Sequence, residues 1–341
     1  MIRFAIVGCG HIAKKHIEAI RSINHAELVA FCDNNPARLE EFKDTYKIKG
    51  YLSLEEMLEN EPQIDAVNIC VPSGLHANLA IKAASYGKHI IVEKPIALTI
   101  EDADSIIEAC EKNNVKLTVV HPNRFRPAVI ALKEAMDNNL FGKISHANAT
   151  VRWNRNQAYY DQAAWRGTKD MDGGVLMNQA IHNLDLLLWL VGPVEEVQAY
   201  TATRLRNIEA EDVAVATLIF SNGALGVIEA ASTIYPKNYE ESLSIFGETG
   251  SAVIGGTTAN WIKHWVFEEV DETDAVALIE KINLDPYGIS GHQQIITDFV
   301  EAIQQNRSPK VTGEDGKNAL KLVLAIYEAS ERKKPVKLKH L

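Results

Sequence analysis

No apolar run in the chain approaches the roughly 20 residues needed to span a bilayer, so a membrane helix is excluded by sequence. The N-terminus passes directly into a short apolar stretch, Ile2 to Val7, and then a glycine turn, which is too brief for a signal-peptide core. A cytoplasmic protein is therefore expected. Cysteine is scarce: Cys9, Cys32, Cys70 and Cys110 show neither C-x-x-C spacing nor clustering, so neither a disulfide framework nor a thiolate metal site is expected. They read as small core residues in a reducing compartment. Positive charge is also in deficit, with 35 Lys and Arg against 45 Asp and Glu and a formal net charge of −10, and no basic stripe is available for nucleic acid. An anionic small substrate is still allowed, because one pocket can be positive on an acidic protein. Repeats, low-complexity tracts and disordered linkers are absent from the pattern.

A chain of 341 residues is long for one core and suits two domains. Roughly three quarters of the unfolded surface can be buried at this size, so no covalent or metal staple is required. Near-continuous apolar runs at Ile2–Val7, Leu28–Cys32, Ala66–Val71, His89–Val92 and Leu117–Val120 predict buried strands. Helical patterns at Ile12–Ser22, Leu75–Tyr86 and Ile100–Asn113 separate them, which predicts a doubly wound parallel α/β domain over 1–121. Beyond Pro122 the pattern becomes longer and alternating, at Val194–Thr203, Asp212–Phe220, Ala224–Ser232, Glu241–Phe246 and Asn260–Phe267. Asn222-Gly223 between two of these is a hairpin signal. Residues 122–341 are expected to form an α+β domain with a large, mostly antiparallel sheet and few helices. A last helix at about 314–332, apolar on one face, must dock somewhere.

Gly8-Cys9-Gly10-His11-Ile12-Ala13 is a G-x-G-x-x-A turn between the first strand and the first helix. Gly8 permits the tight turn, Gly10 lets backbone approach a pyrophosphate, and Ala13 lets helix and strand pack closely. The helix N-terminus beyond it, at His11 and Ile12, offers N–H groups to phosphates. Asp33 ends the second strand at the distance expected for a ribose-binding carboxylate and favours NAD over NADP; Asn34 and Asn35 add no cation, and Arg38 is the nearest one. The strand His89–Val92 closes in Glu93-Lys94-Pro95, where the carboxyl ends of such sheets hold ligands and where Pro95 can fix the lysine through a constrained, even cis, bond. A solvated loop lysine is the plainer alternative.

Gly173-Gly174 precedes an apolar helix carrying Asn178, His182 and Asp185, which at helical spacing share an arc of about 60°. Burying such a stripe costs several kcal/mol unless it is hydrogen-bonded or faces a wet crevice. A satisfied core network, a metal site and a catalytic face are the three readings; no second His or Cys cluster completes a metal site. His182 is suited to accept a hydroxyl proton near neutral pH. Upstream, Arg152-Trp153-Asn154-Arg155, Tyr159-Tyr160-Asp161 and Trp165-Arg166-Gly167-Thr168 crowd aromatics and arginines together. That mixture suits ring stacking and anion clamping, with an interface or solvated loop as the alternative.

The glycine turn, Glu93-Lys94-Pro95, Asn123-Arg124-Phe125 and the Gly-Gly helix with His182 and Asp185 together resemble the glucose–fructose oxidoreductase / inositol dehydrogenase / MocA family over essentially the whole chain. The resemblance implies a Rossmann domain followed by an open sheet that mediates homodimers or homotetramers, with the last helix packing back on the first domain. It implies NAD held by Gly8, Gly10, His11, Ile12, Asp33, Asn34, Glu93 and Lys94. Lys94 and His182 would be catalytic, with Asn178 where many members carry Asp, a departure that argues against a carboxylate mechanism at that position.

Tyr159-Tyr160, Trp165–Thr168, Asp172-Gly173-Gly174 and Met177–Gln179 resemble the branch of UDP-N-acetylglucosaminuronate dehydrogenases of surface-polysaccharide synthesis, which oxidise the sugar 3′-hydroxyl. The substrate would then meet Tyr160, Trp165, Arg166, Asn178 and His182, and His292 is a candidate nucleotide contact. The alternatives are another sugar, namely UDP-N-acetylglucosamine, a free sugar or an inositol, and a non-catalytic NAD- or sugar-sensing protein.

Overall fold

A computed structural model of the chain describes residues 1–338, which divide into two compact units. The first comprises Met1–Pro122 and Ser290–Lys317, the second Asn123–Ile289 and the residues from Asn318 onward.

In the first unit, β1 (Ile2–Val7), β2 (Ala26–Cys32), β3 (Lys49–Tyr51), β4 (Ala66–Ile69), β5 (His89–Val92) and β6 (Leu117–Val119) form one parallel sheet in the order β3-β2-β1-β4-β5-β6. This is the doubly wound order in which a ligand crevice opens at the carboxyl ends of β1 and its neighbours. The central strands are apolar on both faces because both are covered. Phe4, Ile6, Ile69 and Ile90 are wholly buried, each contributing on the order of 1.5–3 kcal/mol through burial. The helices His11–Arg21, His76–Ser85 and Ile100–Lys112 fall where the periodicity predicts them. The helix Gly291–Gln304 packs against His11–Arg21. Gly8 has a φ of +97°, and a Cβ there would stand 2.4 Å from the Cys70 carbonyl oxygen, so the turn has no room for a side chain.

The second unit is built on an eight-stranded sheet comprising β7 (Ile144–Arg152), β8 (Val194–Ala202), β9 (Val213–Phe220), β10 (Leu225–Ala231), β11 (Glu240–Gly247), β12 (Gly250–Gly255), β13 (Trp261–Phe267) and β14 (Val336–Lys337). Its order is β13-β12-β11-β7-β10-β9-β8-β14, and every neighbouring pair is antiparallel except β7 with β10. Asn222-Gly223 makes the β9–β10 hairpin, with Gly223 at φ +85°. Alternation sorts the faces: Ala214, Ala216, Leu218 and Phe220 are buried, while Val215 and Ile219 are exposed. The apolar helix Ile181–Val191 packs on β7. On the opposite face Tyr200 pairs with Val215, and Ile219 with Leu225, leaving an apolar patch in solvent on the single chain. The last helix spans Gly313–Arg332, one residue earlier than periodicity suggests, and opens with a reciprocal cap between Thr312 and Asp315.

Candidate functional site

The glycine turn ends at Gly10, which caps the helix His11–Arg21 with no side-chain hydrogen bond and no acidic residue in the first turn. Nothing lies within 4 Å of the position a Gly10 Cβ would take. Gly10 thus leaves room for close approach at the start of the helix, where exposed His11 and half-buried Ile12 carry first-turn N–H groups suited to a pyrophosphate, so the residues fit a dinucleotide. Asp33 is buried at the end of β2; its Oδ2 accepts the Cys9 N–H at 2.8 Å and its Oδ1 the Asn35 N–H at 2.8 Å, while Arg38 reaches it at 3.4 Å. One carboxylate therefore fixes both the glycine turn and the loop after β2. Asn34, beside it, is exposed.

Lys94 is half-buried just beyond β5, joined to Pro95 by a cis peptide bond. The carboxylate of Glu93 points into the protein. His16 contacts its Oε1 at 2.9 Å, His292 lies 3.5 Å from the same oxygen, and the Lys94 N–H donates to Oε2 at 3.2 Å. His292, a candidate nucleotide contact by sequence, is thus buried against Glu93. Two imidazoles and a carboxylate come together here within 4.8 Å, a cluster invisible in the sequence because its members are 77 and 199 residues apart.

In the second unit the polar stripe divides. Residues Leu176–Ala180 form one π-helical turn, so Asn178 and His182 do not keep the α-helical phase that the sequence reading assumes. Asp185 is taken by Arg124, which donates Nε to Oδ2 at 2.8 Å and Nη2 to Oδ1 at 2.6 Å. For Asp185 the core-network reading applies, with the Asn123-Arg124-Phe125 segment supplying the partner of a buried carboxylate, since an ion so placed must be matched. Asn178 is half-buried and donates Nδ2 to Asp172 Oδ1, and Asp172 also accepts the Gly167 N–H at 2.8 Å. His182 is half-buried on the next turn.

Gly173 has a φ of +79°, and a Cβ on Gly174 would stand 2.1 Å from Glu211 Oε2. The Gly-Gly pair is there so that Glu211 can cap the helix: its carbonyl accepts the Val175 N–H, and its Oε1 accepts from Leu176 N–H at 2.8 Å and Tyr327 Oη at 3.1 Å. Burial pushes the Glu211 carboxyl up to about 7, and the backbone N–H of Leu176 opposes that rise. No local sequence signal marks Glu211 as a capping group.

The arginine- and aromatic-rich segment also separates into two roles. Arg152 is neutralised by Glu229 and Glu240, with Nε and Nη2 on Glu229 at 2.8 and 2.6 Å, and so contributes no free positive charge. Arg166 donates to Tyr159 Oη at 2.7 Å, and its guanidinium carbon lies 4.4 Å from the Tyr159 ring centre and 4.6 Å from that of Trp165. Arg155 lies 4.9 Å from Trp153 and 5.3 Å from the same Tyr159. Arg206 donates to the Arg155 carbonyl at 2.6 Å, on a loop where Asp212 accepts the N–H groups of residues 204, 205 and 206. Among the described residues none of these three guanidiniums is ion-paired with a carboxylate. Tyr160 is buried nearby, its Oη 3.2 Å from Ser232 Oγ.

Two outcomes follow. Asp33→Ala is expected to weaken NAD binding about ten-fold or more and to raise NADP affinity relative to NAD, because Arg38 is released; fluorescence titration with both reduced cofactors checks this. Glu211 binds more protons folded than unfolded between its ordinary 4.5 and about 7. Its contribution to stability is therefore complete below pH 4.5 and is lost as pH rises through 7. Glu211→Gln should raise the thermal midpoint relative to the parent more at pH 8 than at pH 5, read by calorimetry; an equal difference at both pH values contradicts this.

Residues 2–121 match the profile described as "Oxidoreductase family, NAD-binding Rossmann fold", and residues 129–253 that of the GFO/IDH/MocA C-terminal domain. Along the full chain it is 30% identical to myo-inositol 2-dehydrogenase of Thermotoga maritima, covering 100% of this chain and 99% of that protein. Its fold superposes on the WlbA dehydrogenase of Bordetella pertussis, in complex with NADH and UDP-GlcNAcA, with a TM-score of 0.94, 40% identity and coverage of 98% and 97%. The Chromobacterium violaceum WlbA complex with the same two molecules gives 0.93, 39%, 98% and 95%. With the glycine turn, Asp33 and the two sheets in place, the chain belongs to the GFO/IDH/MocA family and is an NAD-dependent sugar oxidoreductase.

Proposed function

We propose that the protein oxidises the 3′-hydroxyl of a UDP-N-acetylglucosaminuronate-type nucleotide sugar to the 3-keto sugar, in surface-polysaccharide synthesis. The observation that carries this reading is the set of Arg155, Arg166 and Arg206, three guanidiniums without a carboxylate partner among the described residues of a chain with net charge −10. An arginine left unpaired beside aromatic rings is placed for an anionic ligand, since its planar fork matches a carboxylate or phosphate. The WlbA neighbours, crystallised with UDP-GlcNAcA, support the same substrate class.

Bound NAD supplies the hydride acceptor. Lys94 hydrogen-bonds and polarises the reacting oxygen, and His182 takes its proton. Asn178 is held by Asp172 and presents a neutral amide, so it orients the hydroxyl without competing as a base. Arg166 engages the sugar carboxylate, and Tyr160 and Trp165 shape the sugar's seat.

Mixed with NAD and UDP-GlcNAcA, the protein should yield a 3-keto product, detected by mass spectrometry so that cofactor retained on the enzyme does not hide turnover. Lys94→Ala and His182→Ala should each lower kcat by about a hundred-fold or more, the range of a lost acid–base group. Arg166→Ala should raise KM for the uronate at least about ten-fold, as loss of a charge-assisted pair does, and change that for neutral UDP-N-acetylglucosamine little. A parent enzyme that prefers the neutral sugar or an inositol, as the myo-inositol 2-dehydrogenase relative suggests, defeats the uronate assignment.

The exposed apolar face around Tyr200, Val215, Ile219, Leu225 and Val227 supports a homodimer or homotetramer formed through this sheet. Leu225→Lys with Val227→Lys should dissociate it, read by analytical ultracentrifugation; unchanged sedimentation removes this face from the interface.

A further inference from the structure

We infer that Glu93, held by His16 and His292, is a positioning residue that locks the backbone of Lys94 to the helix bearing the cofactor turn. The inference rests on the reading of Lys94 as the group that polarises the substrate oxygen. His16 lies on His11–Arg21, the helix whose N-terminus faces the pyrophosphate space, and its two ring nitrogens are engaged at once: Asn68 Nδ2 at 2.8 Å on Nδ1 and Glu93 Oε1 at 2.9 Å on Nε2. That pairing fixes the tautomer, with Nδ1 accepting from the amide and Nε2–H donating to the carboxylate. His292 approaches from the helix Gly291–Gln304, 3.5 Å from the same oxygen, with its ring 5.4 Å from that of His16. The second oxygen of Glu93 receives the Lys94 N–H.

All four side chains are buried, with His16 and Asn68 at 0%, Glu93 at 7% and His292 at 8% exposure. A carboxylate so placed must be matched by donors, and here its donors come from a histidine on the cofactor helix, a histidine on a second helix and the amide of the residue it serves. Burial alone would raise the Glu93 carboxyl, but the hydrogen bonds from His16 and His292 outweigh it and hold the group well below its ordinary range, so it stays an acceptor. Burial pushes His292 down, which leaves a neutral donor there.

The ligand-like spacing of these groups also resembles a two-histidine, one-carboxylate metal site. The hydrogen-bond reading is preferred because both His16 nitrogens and both Glu93 oxygens already have partners at hydrogen-bond or ion-pair distance. Glutamine cannot replace Glu93 without loss. Its amide nitrogen must face either the imidazole donors or the Lys94 N–H, placing donor against donor.

The test is a double-mutant cycle on the holoenzyme with UDP-GlcNAcA. Glu93→Gln should lower kcat at least about ten-fold, with KM for the sugar and NADH affinity within about two-fold of the parent. In a Lys94→Ala background the same change should cost less than about two-fold, because the group it positions is gone. His292→Gln should reproduce the effect more weakly and provides a second variant if Glu93→Gln fails to fold. Equal losses in both backgrounds, or a parallel fall in NADH affinity, overturn the inference. So does a stoichiometric transition metal in the purified protein.

Normal turnover by Lys94→Ala defeats the catalytic reading of Lys94 and not the hydrogen-bonded seat. If the parent does not oxidise UDP-GlcNAcA, the substrate assignment fails, and the seat is read instead by hydrogen exchange at the Lys94 amide in the NADH complex. Exchange should accelerate at least about ten-fold in His292→Gln or Glu93→Gln while the amides of β4 stay protected; unchanged protection at Lys94 overturns the inference.

Discussion

Buried carboxylates that accept backbone N–H groups are the constraint on which the functional loops depend. Asp33 holds Cys9 and Asn35, Glu93 holds Lys94, Asp172 holds Gly167, Glu211 holds Leu176, and Asp212 holds three successive amides. Each lies at the end of a strand or beside the start of a helix, where the backbone has amides without a partner inside the element. Removing a charge from water is costly, so each of these groups tolerates only one arrangement of the loop around it. The loops thereby gain a rigidity that a short polar segment cannot generate by itself.

Net charge and local charge are separate matters in this molecule. Several arginines are consumed in structural ion pairs, as with Arg152 between Glu229 and Glu240 or Arg124 on Asp185. Arg155 and Arg166 lie over the Tyr159 ring and have no carboxylate ion pair among the described residues. On a chain of net charge −10, guanidiniums without a carboxylate partner among the described residues give an anion a local place to bind against the overall repulsion.

Much of this was legible in the sequence, for reasons that differ by element. β1, β4 and β5 announce themselves because strands covered on both faces read as unbroken apolar runs. β3 and β14, of three and two residues, carry too little pattern to register. The helix Pro36–Tyr46 has an Asn35 cap and proline at its start, but it buries only Leu39 and Phe42, so its apolar stripe is faint. The helix Glu272–Leu284 is similarly thin, with Ala275 and Ile282 alone buried. At the site, Gly8, Gly10 and Asp33 follow from spacing, since their chemistry is local. Glu211 and the His16–Glu93–His292 group do not, because pairing across many residues leaves no local trace. The π-helical turn is likewise unreadable: it shifts the phase between Asn178 and His182 without altering the apolar pattern around them.

The four thiols carry a consequence of their own. Cys9, Cys32 and Cys70 sit at or just beyond the carboxyl ends of β1, β2 and β4, around the cofactor turn, and Cys110 lies in a covering helix; all are buried and unbridged. Burial pushes Cys9, Cys32 and Cys110 up to about 12 and raises Cys70 well above its ordinary value, so little thiolate is present in the folded structure. Alkylating reagents can then act only during transient breathing of the nucleotide-binding half. The rate at which each cysteine is modified becomes an intrinsic stopwatch for that breathing, needing no engineered label.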